Sequence, residues 1–262
     1  MTNRGRRAGP VAGDGGALRA RSSSTPPSPT PPAREAAIWH DIECGAYSAD
    51  LPLWEELATE RGGPILDLGC GTGRVMLHLA RRGHEVWGLD SEPSFVEELS
   101  NASVGDARLF KLLGSFRLIV APMQLVQLFS GPEERLECLR CVASHLGPGG
   151  LAAFAIVESM PEPVDSAPPL PDAREVDGWV YSSLPIDSHV DEDRIRVRRL
   201  RQTVSPDGDL TEELHEVALC TLDAGTLEEE ARSAGLRSVG RQEIPATDAH
   251  VGSTVVLLER AA

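Results

Sequence analysis

Lysine is nearly absent from this chain of 262 residues: Lys111 is the only one, and all other basic side chains are arginine. Basic charge as a whole is scarce, 25 Lys and Arg against 40 Asp and Glu, for a net charge of -15. A surface of that sign repels phosphate backbones and anionic membranes, so no nucleic-acid partner is expected. No apolar run approaches the ~18 residues of a membrane span, and the start lacks the apolar core of a signal peptide. A cytoplasmic protein with no membrane partner is therefore expected. Cysteines in a disulfide pattern are also missing: Cys44, Cys70, Cys138, Cys141 and Cys220 form an odd, scattered set, which reads as reduced thiols. Cys138 and Cys141 do make a C-x-x-C, but no second pair or histidine pair accompanies them, so no metal is expected. In a helical stretch that spacing places two small apolar groups on one face. No internal repeat is visible.

What is present is enough to build a core, since 41% of the residues are hydrophobic. Residues 1–33 are rich in Pro, Ser, Gly and Arg and are expected to be a disordered tail. Residues 34–262 are expected to form one domain. It opens on helical sequence over 33–60, with Ile38, Ile42, Trp54 and Leu57 available for an apolar face. Short apolar runs then alternate with amphipathic stretches, the pattern of an α/β unit with a parallel sheet. Strands are expected at 65–68, 86–90, around Val104, at 118–121 and at 151–157, with helices at 74–82, 93–100 and 133–146. The alternation stops at 158–222, a Pro-rich crossing followed by β-like runs at 179–186, 194–204 and 210–222. Ser205-Pro206-Asp207-Gly208-Asp209 predicts a turn joining the last two into an antiparallel hairpin. A helix at 226–234 and strands at 239–244 and 254–259 complete the chain.

The chemistry concentrates at Asp67-Leu68-Gly69-Cys70-Gly71-Thr72-Gly73. A strand running into Gly-x-Gly-x-Gly and then a helix sets a turn without bulky side chains at the carboxyl edge of a sheet. Backbone N–H groups there face a small polar ligand. Asp67, inside the strand, needs a cationic or N–H partner if buried, and an amino-acid ammonium would serve. Asp90, ending the next strand, can accept both hydroxyls of a ribose. Two negative charges suit a cationic ligand and not a pyrophosphate, and a dinucleotide fold prefers the spacing Gly-x-Gly-x-x-Gly.

The run Ile65-Leu66-Asp67-Leu68-Gly69-Cys70-Gly71-Thr72-Gly73 resembles the first motif of the class I S-adenosylmethionine-dependent methyltransferases. Gly88-Leu89-Asp90-Ser91 resembles that family's ribose-binding strand end, and Gly105-Asp106-Ala107 its adenine-contacting segment, where the acidic side chain or an adjacent N–H holds the exocyclic amine. Leu118 to Gln124 resembles the fourth strand and the loop, with Pro122 and Met123, that faces the transferred methyl. Leu146-Gly147-Pro148-Gly149-Gly150-Leu151 resembles the turn into strand five. The resemblance implies a Rossmann-like seven-stranded sheet in the order 3-2-1-4-5-7-6, strand seven antiparallel, with an antiparallel insert between strand five and the last helix. It implies S-adenosyl-L-methionine as cofactor, held by Tyr47, Asp67, Gly69, Cys70, Gly71, Gly73, Asp90, Ser91, Asp106, Ala107, Pro122 and Met123. The sequence departs from the family at Arg117, where an acidic residue is common, and in the short segment between Asp90 and Asp106.

Methyl transfer from a sulfonium is an in-line displacement in which positioning does most of the work. A base is optional for an amine and helpful for a hydroxyl or thiol. Enzymes acting on nucleobase amines or glutamine amides resemble one another in an Asn/Asp-Pro-Pro-Tyr/Phe loop. Here the loop reads Ala121-Pro122-Met123-Gln124, so a small-molecule N or O nucleophile is expected instead. Gln124 and Gln127 are candidates to orient it, or else cap the following helix or face solvent. His250, in the connection between the last two strands, is the candidate base or substrate contact. His215 and His40 are lesser candidates. The insert at 158–222 resembles the antiparallel lid of glycine N-methyltransferase and the amino-sugar N,N-dimethyltransferases. By alternation Ile195, Val197, Arg199 and Arg201 share one face, so Arg199 or Arg201 is either an anion contact for substrate or part of a solvated surface. Tyr47 and Trp39 belong to a segment that, by the same resemblance, folds over the cofactor. The competing readings are a nicotinamide-dependent oxidoreductase, for which no hydride-transfer pair is recognisable, and a non-catalytic adenosylmethionine-binding protein.

Overall fold

The computed structural model describes residues 32, 34–160, 170–191, 193–247 and 250–261. Apart from Pro32, the segment expected as a tail lies outside the described residues. The leading helical stretch is two helices, α1 (Glu35–Cys44) and α2 (Leu51–Arg61). Gly45 ends α1, its N–H donating to Asp41 O at 2.9 Å. Pro52 opens α2, where its missing N–H costs nothing, and Gly62 at φ 70° closes it.

The main sheet runs β3 (Ala102–Val104), β2 (Val86–Asp90), β1 (Ile65–Leu68), β4 (Phe116–Ala121), β5 (Leu146–Ile156), β11 (Ser253–Arg260) and β10 (Leu236–Ile244). With β10 and β11 counted as the sixth and seventh strands of this sheet, the order is the expected 3-2-1-4-5-7-6. β11 pairs antiparallel with β5 and with β10, whereas β1 to β5 pair in parallel. Central strands covered on both sides read as unbroken apolar runs, and their alternate residues feed two cores. Leu66, Leu68, Ile119 and Phe154 meet α4 (Pro132–His145) and α5 (Ala224–Ser233) through Leu139, Val142 and Leu227. Ile65, Leu118 and Val120 meet α2 and α3 (Arg74–Ala80) through Trp54, Val75 and Leu79. Cys138 is fully buried in the first core, as its helical spacing predicts. Among the described residues no helix is long and apolar enough to cross a membrane.

The insert is a second sheet in the order β6 (Asp172–Val176), β7 (Trp179–Asp191), β8 (Arg194–Val204) and β9 (Leu210–Cys220), antiparallel throughout. The 205–209 turn joins β8 to β9 with Val204 opposite Leu210. β6 is not marked by sequence periodicity, because its residues are largely exposed and polar. The signal that was there is the dipeptide Asp177-Gly178, both at positive φ (52° and 82°), which makes a tight hairpin into β7. β5 also starts earlier than expected, at Leu146, taking up the glycine-rich turn with a shift of register against β4.

Candidate functional site

β1 ends at Leu68 and α3 begins at Arg74, so the five residues between them form the loop at the carboxyl edge of the sheet. Gly69, Gly71 and Gly73 have φ of 73°, 54° and 90°, a backbone that side chains resist. At Gly71 a side chain is excluded for a second reason: a Cβ there would lie 2.4 Å from His40 Cε1. Asp90 holds the loop from the next strand, its Oδ2 accepting from Gly71 N at 2.8 Å and its Oδ1 from Glu92 N at 3.0 Å. Ser91 follows it, exposed. Asp67 is 1% exposed and accepts one hydrogen bond, from Met76 N at 2.9 Å, while its Oδ1 has no partner. Burial pushes its carboxyl up to about 7. Burial likewise pushes the Cys70 thiol up, so that side chain is a packing group.

Asp106 is engaged differently from the expected adenine contact. Arg108 grips its carboxylate at 2.6 to 3.1 Å, holding it below the usual carboxylate range, and ties it to Glu134 at 2.6 Å. With both oxygens committed to a guanidinium, the backbone around buried Ala107 is the part of this segment left for a ligand amine.

Beyond β4, Met123 and Gln124 stand consecutively in the left-handed region, at φ 54° and 62°. Such strain in non-glycine residues gathers at functional sites. Gln124 reaches Ser253 Oγ only at 3.5 Å, so its amide is loosely held. Gln127 is a correction to the sequence reading. It is fully buried, donating to Val157 O at 3.0 Å and Cys220 O at 2.9 Å and accepting from Val157 N at 2.8 Å. The amide ties the end of β5 to the end of β9 and has no face left for substrate.

Tyr47 and His250 meet, ring centroids 4.6 Å apart. The Arg74 guanidinium lies 5.0 Å over the Tyr47 ring and donates to Tyr47 O at 2.9 Å. Its other bonds go to Asp50, at 2.6 and 2.7 Å, a carboxylate 1% exposed that also accepts the Trp54 indole N–H. Sequence reasoning missed Asp50 altogether; an acidic residue just before Leu51-Pro52 looks like an ordinary helix start. Burial lowers the pKa of His250, which keeps the imidazole neutral at pH 7. A cavity of about 600 Å³ opens beside Tyr47, Gly73, Arg74 and Asp172; neither Asp67 nor Asp90 lines it.

Arg199 and Arg201 share the inward face of β8, as alternation predicts, but they are not free anion receptors. Arg201 pairs with both oxygens of Glu43 at 2.8 and 2.7 Å, while Arg199 bonds Ser183 Oγ and Asp172 at 2.7 Å each. A guanidinium half-buried between the small sheet and α1 needs a carboxylate, and the fold supplies its own.

Residues 65–150 match the family model of a methyltransferase domain. The chain is 32% identical over 99 residues to the cypemycin N-terminal methyltransferase of a Streptomyces species, a match covering 35% of this chain and 40% of that protein. The aligned stretch thus spans less than half of that relative's length. Among solved structures, the sugar N-methyltransferase KedS8 of a Streptoalloteichus species superposes with a TM-score of 0.67 at 16% identity, covering 98% of this chain and 99% of that one. CalS10 of Micromonospora echinaspora, an amino pentose methyltransferase solved with S-adenosylmethionine, gives 0.62 at 21% identity over 85% and 95%. The domain that holds the glycine loop thus matches a methyltransferase domain, and the strand order around it is the one that the resemblance to the class I S-adenosylmethionine-dependent methyltransferases implies.

Proposed function

We propose that this protein transfers the methyl group of S-adenosylmethionine to a small-molecule nucleophile, with an amine preferred over a hydroxyl. The observation that carries the donor site is the unpaired, buried Oδ1 of Asp67 beside a glycine loop held open by Asp90. That oxygen lacks a cation, and the methionine ammonium is one. Asp90 retains lone pairs for ribose hydroxyls. The loop glycines Gly69, Gly71 and Gly73, with buried Cys70, leave backbone free for close approach, and Ser91 and the Ala107 backbone border the nucleoside end. When bound, the cofactor would supply a sulfonium methyl carbon open to in-line attack by the acceptor's lone pair, with the thioether sulfur of S-adenosylhomocysteine as leaving group.

The chain's own residues then have three tasks. Pro122, Met123 and Gln124 shape the loop against which the acceptor lies, and the loosely held Gln124 amide orients it. The β6–β9 sheet acts as a lid that excludes water from the transfer. His250, neutral and packed on Tyr47, takes the proton released by the acceptor. The preference for nitrogen is supported by KedS8, named a sugar N-methyltransferase, by CalS10, named an amino pentose methyltransferase, and by the cypemycin enzyme, named an N-terminal methyltransferase. Calorimetry with S-adenosylhomocysteine against NADH tests the donor site. Product mass with a panel of amino sugars, peptide N-termini and phenols then tests the acceptor. Binding of NADH alone removes the proposal, and binding of S-adenosylhomocysteine with no turnover on any acceptor favours a non-catalytic binder.

A further inference from the structure

Helix α1 touches the glycine loop on one side and the small sheet on the other. Toward the loop, the His40 imidazole lies against Gly71, with its Nδ1 3.2 Å from Thr72 Oγ1. It packs on Phe95 at 4.6 Å. The Thr72 hydroxyl donates to Asp41, whose other oxygen accepts from Arg174 on β6 at 3.2 Å. Toward the small sheet, Glu43 accepts from Ser183 Oγ on β7 at 2.8 Å and from Arg201 on β8, with Arg199 3.6 Å away. Trp39, one turn earlier on the same helix face, packs edge-on against Tyr181 at 5.1 Å and under Arg201 at 5.0 Å.

The two sets of contacts lie within five consecutive residues of one helix, too short a span to flex between them. We propose that Glu43 is a positioning residue for the glycine loop. Its grip on β7 and β8 fixes α1, and α1 holds His40 and Asp41 down on Gly71 and Thr72. The state of the small sheet is thereby communicated to the loop. Displacement of β8 pulls Glu43, loosens the contact on Thr72 and uncovers the loop; docking of β8 does the reverse. No other described acidic side chain bridges α1 to both Arg199 and Arg201. In its consequence for ligand affinity the inference rests on the donor site proposed above; in its consequence for the loop it does not.

Amide hydrogen exchange over residues 70–75 of the full chain without ligand provides the test, compared among wild type, Glu43→Gln, and the double variant Glu43→Gln with Arg201→Gln. The double variant leaves no unpaired Glu43 or Arg201 charge and guards against simple unfolding. Arg198→Gln, on the same strand as Arg201 and removing an exposed pair with Asp187 of β7, is the control. Exchange in the loop is expected to accelerate at least threefold in both Glu43 variants and not in the control, with melting temperatures within a few degrees. Affinity for S-adenosylhomocysteine should fall about tenfold in the same two proteins, with conservative Glu43→Asp recovering part of the loss. Unchanged loop exchange in the double variant, or equal acceleration in the control, overturns the assignment. Accelerated exchange in a protein whose wild type ignores S-adenosylhomocysteine leaves Glu43 in its role and removes the donor site instead.

Discussion

The rings of Tyr47 and His250 pack 4.6 Å apart at an interplanar angle of 38°, joining the approach to α2 and the β10–β11 connection at one edge of the sheet. Because burial holds the imidazole below its ordinary pKa, the ring keeps a free lone pair at neutral pH. His250→Gln is expected to lower kcat/KM roughly 100-fold and to erase the acid limb of its pH profile. A normal rate and profile would assign the ring to packing on Tyr47.

Buried Asp67 gives the edge of the sheet beside the glycine loop a pH dependence. Its carboxyl titrates near 7 in the folded chain against an ordinary 3.8, so between those values the native state binds more protons than the unfolded state. Stability therefore falls as pH rises from about 4 toward 7, and is flat above. Asp67→Asn should remove that slope, melting several degrees above wild type at pH 8 and near it at pH 4. A cationic ammonium favours the ionised carboxylate, so S-adenosylhomocysteine binding should strengthen from pH 6 to 8 and release a proton. Calorimetry in buffers of different ionisation enthalpy measures that release, and its absence detaches Asp67 from the ligand.

Asp90 carries two backbone N–H groups, from Gly71 and Glu92. Asp90→Ala is expected to weaken S-adenosylhomocysteine by about 100-fold, the loss of two charge-assisted hydrogen bonds to ribose at ~1.5 kcal/mol each. Asp90→Asn, which still accepts from Gly71, should fall between. Full affinity in Asp90→Ala would move the ribose elsewhere.

Gln127 separates structure from catalysis. Gln127→Leu strips partners from Val157 N, Val157 O and Cys220 O and should cost roughly 2 to 4 kcal/mol in urea unfolding. Ligand affinity of the folded fraction should stay unchanged. A kinetic defect without a stability loss would return Gln127 to the acceptor site.

The donor edge was legible because its signals are local. A strand, three glycines and a helix follow one another in sequence, and Asp67 and Asp90 sit at positions fixed by the strands that carry them. The β8–β9 hairpin was legible for the same reason, through Ser205 to Asp209. Long-range partners were not: Arg199 and Arg201 show the correct face by alternation, yet nothing near them in sequence names Glu43. Gln127 looks like any polar residue in a short turn until β5 and β9 are seen to end beside it. Asp50 and Arg74 are each unremarkable alone and become a buried ion pair only when α2 and α3 pack.

The order of chain elements, read as period and punctuation, determined an α/β unit with a parallel sheet and the glycine loop with its two aspartates, while the seven-stranded order and its antiparallel last strand followed from the family resemblance that this loop carries. Periodicity and turn chemistry act within a few residues, so one sequence suffices to read them. The tertiary structure alone decided which charges are spent on the fold. It closed Arg199, Arg201, Asp106 and Gln127 into internal contacts, left Asp67 with an empty oxygen, and brought His250 onto Tyr47. Burial sets those outcomes, since a polar group removed from water takes whatever partner the packing offers.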